Sequence, residues 1–502
     1  MRRPKAVEQT LEVLDPLRQF LTLLAEAVRH GEVRSLAELT ERMHQGTWEF
    51  GAAAVGTLMQ MAAEGAPTEQ RCGCGAEAHS DGFREREVVV RFGPATVQRR
   101  WMVCRRCGHG WAPFDEAFGL PVGRYADDVK EAAVKLACDL PDAQACEHLR
   151  KLWRQAPDPH TVERWANAAG EQLIETQRTE AEAYWQSLGE PKGAAVAQPG
   201  FGVIEADGTQ VLTWKPGQHP RQRAPATAPQ PGQQSGRRSR RTPSVLSEVE
   251  GSPHGPPERS KRTAGREVRV GLSYPSEAVA QLSATRATLT TVRYVARLGD
   301  ADQFWRQMHL GAHRVGALGR QKLLNVGDGA PWVHEQARDC FVAESLEDIL
   351  DHAHAVQHLW DAGHTLYGKG PRLTAWAQQR TDQIDEGQAA QVVEQLMHQR
   401  SLQRSKSKAE ALDSLVGYIE PRINQMDYPR YRANGWPQGS GAVESATKRV
   451  IGRRMKQGGM IWGVAGATRR AALCAARYNT GDWDAIARVP SRQWRRITAE
   501  AA

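Results

Sequence analysis

The chain has 502 residues, 40% of them hydrophobic and 25% charged, with a formal net charge of +8 at pH 7. This length exceeds what one hydrophobic core serves, so we expect roughly two to four domains. No apolar run approaches the roughly 20 residues needed to span a bilayer, and the basic N-terminus lacks the apolar stretch of a secretory signal. We therefore expect a cytoplasmic protein that does not act at a membrane. The positive charge is typical of proteins that bind polyanions such as nucleic acid.

The first part of the chain carries apolar residues at helical spacing, which predicts a helical N-terminal region over residues 1–68. A Gly-rich break follows. Two strand-like runs, Glu87–Phe92 and Thr96–Val103, are then separated by Gly93 and Pro94. This pattern predicts a β-hairpin.

Four cysteines flank the predicted hairpin, two on each side: Cys72, Cys74, Cys104 and Cys107. Four thiolates on two short turns can surround zinc tetrahedrally. The sequence therefore predicts a structural Zn²⁺ site in a zinc-ribbon-like domain over residues 69–120. The first pair has one intervening residue where two are usual. This leaves open that His79 or His109 replaces one thiol, or that a hairpin carries incidental cysteines.

Helical patterning resumes near Ala126, and we assign residues 121–195 to one helical region. Within it, Ala143–Trp153 and Thr161–Ala169 are predicted helices joined by a Pro-containing break, with Thr161 as a suitable N-cap. This outline fits a helix-turn-helix-like DNA-binding segment, and equally an ordinary pair of packed helices.

The chain from residue 201 onwards contains apolar strand-like runs that later alternate with helices, which favours an α/β domain with a mixed sheet. The runs are Phe201–Glu205, Val268–Ser273, Thr291–Arg297, Leu323–Val326 and Leu346–Leu350. We place this domain over residues 196–485, with an all-helical insertion over 352–435 and a C-terminal tail over 486–502. Residues 216–264 are rich in Pro, Gly, Ser and Arg, which predicts a disordered insertion between the first two strands.

Three acidic residues stand out by their settings: Asp207, Asp328 and Glu444. Each Asp is expected to end an apolar strand ahead of a Gly, where its carboxylate is presented at the sheet edge. Glu444 is expected one turn into a basic helix over about residues 440–457. Magnesium prefers oxygen ligands, and two ions held by carboxylates can catalyse displacement at a phosphodiester. An Asp-Gly pair alone is common in turns, but the joint placement around one sheet predicts a two-metal site.

The segments around these acids resemble the catalytic blocks of bacterial insertion-sequence transposases of the ISKra type, which are related to the Mutator-like group. The matching segments are Val203–Thr209, Val326–Trp332, Gly439–Ser445 and Arg454–Trp462. The resemblance implies an RNase H-like catalytic domain and a triad formed by Asp207, Asp328 and Glu444. It also implies two Mg²⁺ ions, for which Mn²⁺ could substitute. The implied activity is that of a DDE transposase, which cleaves and joins the ends of an insertion sequence.

The same resemblance implies the partners and the location of the protein. The partners are double-stranded DNA, both the terminal inverted repeats of the element and its target, and further copies of the chain assembled on that DNA. The location is the cytoplasm, at the bacterial nucleoid.

Two further groups of residues are candidates for DNA binding. Mutator-like enzymes carry an acid followed, after two residues, by His; Asp351 and His354 match this motif, ahead of Trp360. By resemblance they help to position the DNA end, and the alternative is a His-rich helix face satisfied by local hydrogen bonds. The second group lies on the basic helix and comprises Lys448, Arg449, Arg453 and Lys456. These cations suit phosphate contacts, and a solvated surface stripe is the alternative.

Helical spacing also predicts that Glu444, Lys448, Ile451 and Met455 share one face of that helix.

Two other functions remain open. A non-enzymatic, domesticated or inactivated derivative would bind DNA through the zinc ribbon and helical region alone. Intact acids at all three positions argue against this alternative, while the long insertion favours it. A metal-dependent nuclease without a joining step would share the triad.

Overall fold

The computed structural model describes residues 5–65, 71–188, 197–216, 262–283, 286–479 and 481–483. These residues form two compact units. The first holds the described residues up to Leu173 together with 481–483, and the second holds those from Ile174 to Asn479. Within the described ranges, no helix combines the length and apolar character needed to cross a membrane.

The first unit contains a hairpin between helices. Its elements are α1 (Lys5–Arg29), α2 (Leu36–Glu64), β1 (Ala78–Val90), β2 (Gly93–Cys104), β3 (Gly110–Trp111), α3 (Pro113–Ala117), α4 (Asp127–Ala137), α5 (Asp142–Trp153) and the first half of α6 (Pro159–Leu188). β2 pairs antiparallel with both β1 and β3. The predicted hairpin is present, and its first strand begins nine positions before the expected Glu87, because the pairing continues past a bulge between Ser80 and Phe83.

Helix α2 covers the hairpin. Met59 of α2 packs in one buried cluster with Val88, Val97 and Phe114. On strand β2 buried and exposed residues alternate from Gly93 to Val97, as expected for a sheet with one covered face.

Helices α4, α5 and α6 pack around a second core of small residues that includes Ala133, Cys146 and Val162. α5 and α6 occupy the predicted helix-turn-helix-like positions. The predicted cap at Thr161 is wrong: α6 begins at Pro159, and the side chain of Asp158 accepts from His160 N. Because proline is tolerated in the first turn, the helix starts earlier than the sequence pattern suggested.

The second unit is built on a five-stranded mixed sheet, which confirms the α/β class. Its strands are β4 (Gln198–Trp214), β5 (Thr263–Pro275), β8 (Arg293–Leu298), β9 (Arg320–Gly327) and β10 (Leu346–Leu350), and a separate hairpin is formed by β6 (Val279–Ser283) and β7 (Arg286–Leu289). The strand order is β10-β9-β4-β5-β8. β5 runs antiparallel to both of its neighbours, whereas β9 is parallel to β4 and to β10.

The helices of this unit follow the strands and then form a separate block. They are α7 (Ala301–Arg314), α8 (Pro331–Cys340), α9 (His352–Tyr367), α10 (Pro371–Asp385), α11 (Ala389–Ser401), α12 (Lys406–Ile419), α13 (Tyr428–Ala433), α14 (Gly441–Ala446), α15 (Arg453–Met455) and α16 (Val464–Ala476), with 3-10 turns at Ser276–Ala278 and Glu420–Gln425 and a π-helical stretch at Thr447–Gly452. α9 to α13 fall within the range predicted as an all-helical insertion.

The core of the second unit lies between the sheet and helices α7 and α8. Phe304 and Met308 of α7 are fully buried against Ile204 and Leu323 of the sheet. A Cβ at Gly271 of β5 would lie 2.5 Å from Met308 Sδ and 2.9 Å from Phe304 Cζ, so these side chains of α7 pack directly on the strand at this glycine.

The predicted insertion over residues 216–264 lies mostly outside the described residues. Its flanks are described, and there Trp214 of β4 pairs with Thr263 of β5. The segment therefore connects two strands of one antiparallel pair. The predicted tail over residues 486–502 also lies outside the described residues.

Candidate metal centres

The first candidate centre lies at the open end of the β1–β2 hairpin. The register places Ala78 opposite Cys104, so the cysteine pairs before β1 and at the end of β2 meet there. Cys72 Sγ lies 3.5 Å from Cys107 Sγ, and Cys74 Sγ lies 3.6 Å from Cys104 Sγ. All four sulfur atoms lie within 4.8 Å of one another.

Each cysteine pair sits on a tight backbone turn that ends in a glycine. Gly75 N donates to Cys72 O and Gly108 N donates to Cys104 O, both at 2.8 Å. The φ angles of the two glycines are +84° and +71°, a region that side chains disfavour. The first turn therefore closes although it has one residue fewer than usual between its cysteines.

The spacing of the sulfur atoms fits zinc. Tetrahedral ligands at about 2.3 Å from zinc lie about 3.8 Å apart, whereas disulfide sulfurs lie about 2.05 Å apart. Among the described residues, neither His79 nor His109 belongs to the cluster, so the four thiols need no histidine substitute. His109 stacks instead on Trp111, with ring centroids 5.4 Å apart.

The thiols differ in how readily they ionise. Cys107 N–H lowers the pKa of the Cys104 thiol to about 7. Cys74 N–H lowers the pKa of the Cys72 thiol, but burial and the neighbouring thiols raise it more, to about 12. A cation at the centre of the cluster would remove this conflict by stabilising all four thiolates.

The second candidate centre involves the predicted triad, and here the setting of Asp207 differs from the prediction. Asp207 does not end a strand: β4 continues to Trp214, and Asp207 pairs with Val270 of β5. Gly208 is part of the strand, where a Cβ would lie 2.3 Å from Glu267 Oε1. The Asp-Gly pair was interpreted as a turn, but this glycine instead makes room for a neighbouring side chain.

Asp328 lies where it was predicted, directly after β9. Its Oδ1 accepts from Ala330 N at 2.9 Å, and Gly329 adopts a φ of +87°. Helix α12 and the turn after it hold this loop, because Tyr418 donates to Asp328 O at 2.8 Å and Arg422 Nη2 donates to Gly329 O at 2.6 Å. The backbone around the carboxylate is therefore fixed by hydrogen bonds from outside the sheet.

Glu444 lies on α14, at the start of a helical run that extends through Met455. The predicted shared face holds for Glu444 and Lys448, because Lys448 Nζ lies 3.5 Å from Glu444 Oε2. Ile451 and Met455 are buried, whereas the Lys448 side chain is 80% exposed. The helical run is π-helical over Thr447–Gly452, where the turns are wider than in an α-helix.

Charge interactions connect the three predicted acids. Burial raises the pKa of Asp207, the carboxylates of Asp328 and Glu444 raise it further, and Gly208 N–H and the Thr447 hydroxyl lower it. The geometry agrees with these contributions, since β4 and β9 pair through Glu205 and Val326, two positions before Asp207 and Asp328, and Thr447, three residues after Glu444, donates to Asp207 Oδ2 at 3.3 Å. Among the described residues they do not form one group with all ligand atoms within 4.8 Å. Carboxylates that serve two ions about 3.5–4 Å apart need not be so close.

Glu444 does form such a tight group with Asp351 and His354. Asp351 follows β10 and caps α9, where its Oδ1 accepts from His354 N at 3.1 Å. Its Oδ2 accepts from both Ser440 N, at 2.7 Å, and Ser440 Oγ. With 1% exposure and three hydrogen bonds, this carboxylate holds the backbone before Glu444 rather than facing solvent. Trp360 lies further along α9 and is half-buried.

The four predicted phosphate contacts are all exposed. Two of them contact residues outside this helical run: Lys456 Nζ donates to Thr209 Oγ1 at 2.9 Å, and the Arg449 guanidinium lies 4.2 Å from the centroid of Tyr478. Arg453 is exposed on the same helical run. A cationic surface therefore adjoins Glu444 and the strand that carries Asp207.

The sequence analysis missed Glu205, which is only 1% exposed. Its Oε2 accepts from Val443 N at 2.8 Å and its Oε1 accepts from Tyr274 Oη at 3.1 Å. Burial raises the pKa of Glu205 to about 8. A glutamate within the otherwise apolar run Phe201–Ala206 is a signal that could have identified it, because buried carboxylates need partners.

Comparisons with known proteins add no further assignment, since no protein-family model and no curated protein matches the chain.

Proposed function

We propose that the chain is a DNA transposase of the DDE type, which cleaves and joins the ends of an insertion sequence. The observation that carries this proposal is the placement of the three acids. β4 and β9 pair through Glu205 and Val326, two positions before Asp207 and Asp328, and Thr447, three residues after Glu444, donates to Asp207 Oδ2 at 3.3 Å. Two of these acids come from the adjacent strands β4 and β9, and the third comes from a helix that follows the helical block. Three mutually repelling carboxylates in one region are costly without cations to offset them.

The strand order supports an RNase H-like catalytic domain. Numbered along the chain within this sheet, the five strands lie in the order 5-4-1-2-3, and only the second runs antiparallel to the others. An RNase H-like sheet has this order and direction. The first acid then lies on the central strand and the second directly after the neighbouring fourth strand.

The chemistry of the donor set fits magnesium, since all three side chains offer oxygen ligands. When bound, two Mg²⁺ ions activate the attacking oxygen and stabilise the leaving oxygen at the scissile phosphate, and Mn²⁺ can replace them. In this proposal Asp207, Asp328 and Glu444 would hold the two ions, and Asp207 would share both. Lys448, Arg453 and Lys456 would contact DNA phosphates beside the site. Asp351 and His354, at the start of α9, would help to hold the element end.

Hydrolysis would free a 3′-hydroxyl at the element end, and that hydroxyl would then attack target DNA. The partners in this proposal are double-stranded terminal inverted repeats and target DNA, with several copies of the chain assembled on them at the nucleoid. The zinc ribbon and helices α4 to α6 would bind the element ends, and the Zn²⁺ ion there would be structural.

Substitution of the acids tests the proposal. Asp207→Asn, Asp328→Asn and Glu444→Gln should each reduce cleavage and strand transfer of labelled end DNA in Mg²⁺ by at least about 10³-fold, since removing one ligand disables the metal pair. Binding to the same DNA should persist, because each change removes a negative charge near the phosphate. Double substitutions should add little, as residues that act as one unit are not additive.

Asp413→Asn provides the matched control, since Asp413 is an exposed acid paired with Arg400 on the helical block. Its activity should equal that of the wild type. Cleavage without joined products in the wild type would identify a nuclease. Binding without cleavage in Mg²⁺ or Mn²⁺ would identify a non-enzymatic derivative. Full joining by any of the three variants would remove that residue from the triad.

A further inference from the structure

The helix that carries Glu444 begins with backbone donors that its own cap does not satisfy. The first N–H groups of any helix lack acceptors within the helix and carry partial positive charge. Ser440 occupies the cap position, but its side chain makes no capping bond to the helix. Its hydroxyl is instead hydrogen-bonded to Asp351. A donor in the first turn, Val443 N, therefore needs an acceptor from elsewhere.

Glu205 supplies that acceptor from the central strand of the sheet. The bond from Val443 N to Glu205 Oε2 is 2.8 Å long and joins residues 238 positions apart. Both side chains are buried, at 1% exposure each. The second carboxylate oxygen is occupied by the Tyr274 hydroxyl. Neither oxygen of Glu205 is left to face a metal ion or DNA.

This hydrogen bond links the strand that carries Asp207 to the helix that carries Glu444. Val443 directly precedes Glu444, and Glu205 lies two positions before Asp207 on the same face of β4. A shift of the helix along β4 by one residue would therefore break this hydrogen bond and move Glu444 away from Asp207.

We infer that Glu205 is a positioning residue, which holds Glu444 in register with Asp207 by anchoring the start of the helix that carries Glu444. The inference rests on the proposed function, because Asp207 and Glu444 are taken as ligands of the same metal pair. Glu205 itself binds neither metal nor DNA. Its effect on metal binding is transmitted through the Val443 backbone.

Binding of Mn²⁺ to the zinc-loaded full-length chain, measured by electron paramagnetic resonance, tests this role without an activity assay. Glu205→Ala removes the acceptor and should weaken Mn²⁺ binding about tenfold, as for residues that orient metal ligands. Glu205→Gln keeps an oxygen for Val443 N and should restore most of the affinity. Tyr274→Phe is the matched control: it removes the other bond of the same carboxylate and should leave the affinity unchanged.

Two results would overturn the inference. Unchanged Mn²⁺ affinity in Glu205→Ala would show that the bond stabilises the fold only. A Glu205→Gln variant as weak as Glu205→Ala would show that the charge, and not the bond, matters. Should Glu205→Ala fail to fold, Glu205→Leu removes the same acceptor while filling the buried volume, and it should show the same tenfold loss. Since wild-type Mn²⁺ binding is measured directly, a protein that binds Mn²⁺ but joins no DNA would contradict the proposed function and leave this inference standing.

Discussion

The four cysteines of the hairpin and the three acids of the second unit differ in how far apart along the chain their ligands lie. The cysteines span 35 positions, and two short turns and one β-hairpin bring them together. The acid site connects Asp207 with the helix that carries Glu444 through contacts between residues about 240 positions apart, such as that of Thr447 with Asp207. Strand pairing and buried hydrogen bonds hold these acids in place.

This difference predicts opposite relations between metal binding and folding. The thiols meet at the open end of one hairpin, where a bound ion would join the two cysteine turns, so metal binding should supply much of the stability of that end. The acids lie on or beside a sheet with a large apolar core, and hydrogen bonds hold the loop of Asp328 and the helix of Glu444. The second unit should therefore fold without magnesium, and bound magnesium should stabilise it by offsetting the repulsion between the carboxylates.

Removal of zinc has the largest expected effect. Chelation, or Cys74→Ser, should destabilise the β1–β2 hairpin by about 4 kcal/mol or more, because structural zinc contributes its binding free energy to folding. Amide hydrogen exchange at Val88 and Val97 should accelerate strongly, while exchange at Val203 and Leu324 in the second unit should not change.

Cys138→Ser is the control for this experiment, because Cys138 is a buried thiol of the same unit outside the cluster, and serine can keep its hydrogen bond to Val134 O. It should leave hairpin exchange unaltered. Equal acceleration of amide exchange in both units would contradict the predicted difference between the cysteine site and the acid site. Absence of bound zinc in protein purified without chelator would refute the ribbon assignment.

The same contrast explains which features were predictable from the sequence. The cysteine pairs and the hairpin are local patterns, and both are visible in the spacing of the residues. Asp328 was also predictable, because Gly329 at φ +87° marks the turn at which its strand ends. The alternation of strands and helices identified the α/β class for the same reason, since each element is recognised from the spacing of its own apolar residues.

Features that depend on distant residues were misjudged or missed. The glycine after Asp207 resembles a turn signal, but Glu267 on the neighbouring strand explains it. The π-helical stretch Thr447–Gly452 lies within a helix that was expected to be regular, and no local pattern announces such a stretch. Glu205 was missed because its partner, Val443 N, is a backbone group far along the chain.

Magnesium should have a smaller effect on the second unit than zinc has on the ribbon. In buffer without magnesium and without chelator, Asp207→Asn should raise Tm by a few degrees, because it removes a charge that is opposed by burial and by the carboxylates of Asp328 and Glu444. Added Mg²⁺ should raise the Tm of the wild type but not that of the variant. Calorimetry measures both shifts, and Asp413→Asn should follow the wild type. A variant less stable than the wild type without Mg²⁺ would show that Asp207 is held by favourable contacts and not strained by its neighbours.

The smallest expected effect concerns the cations beside the acid site, which should change DNA affinity without changing metal binding in either region. Arg453 and Lys456 are exposed, and each phosphate contact contributes about 0.9 to the slope of log affinity against log salt. Arg453→Ala combined with Lys456→Ala should therefore lower that slope by about 2, so that raising salt from 50 to 200 mM weakens binding about tenfold less than in the wild type. Fluorescence anisotropy with double-stranded end DNA measures the slope. Arg400→Ala, which removes an exposed arginine paired with Asp413 elsewhere in the same unit, should leave the slope unchanged. An unaltered slope in the double variant would assign these cations to a solvated stripe, and the ribbon and helices of the first unit would then be the part of the chain to examine for phosphate contacts.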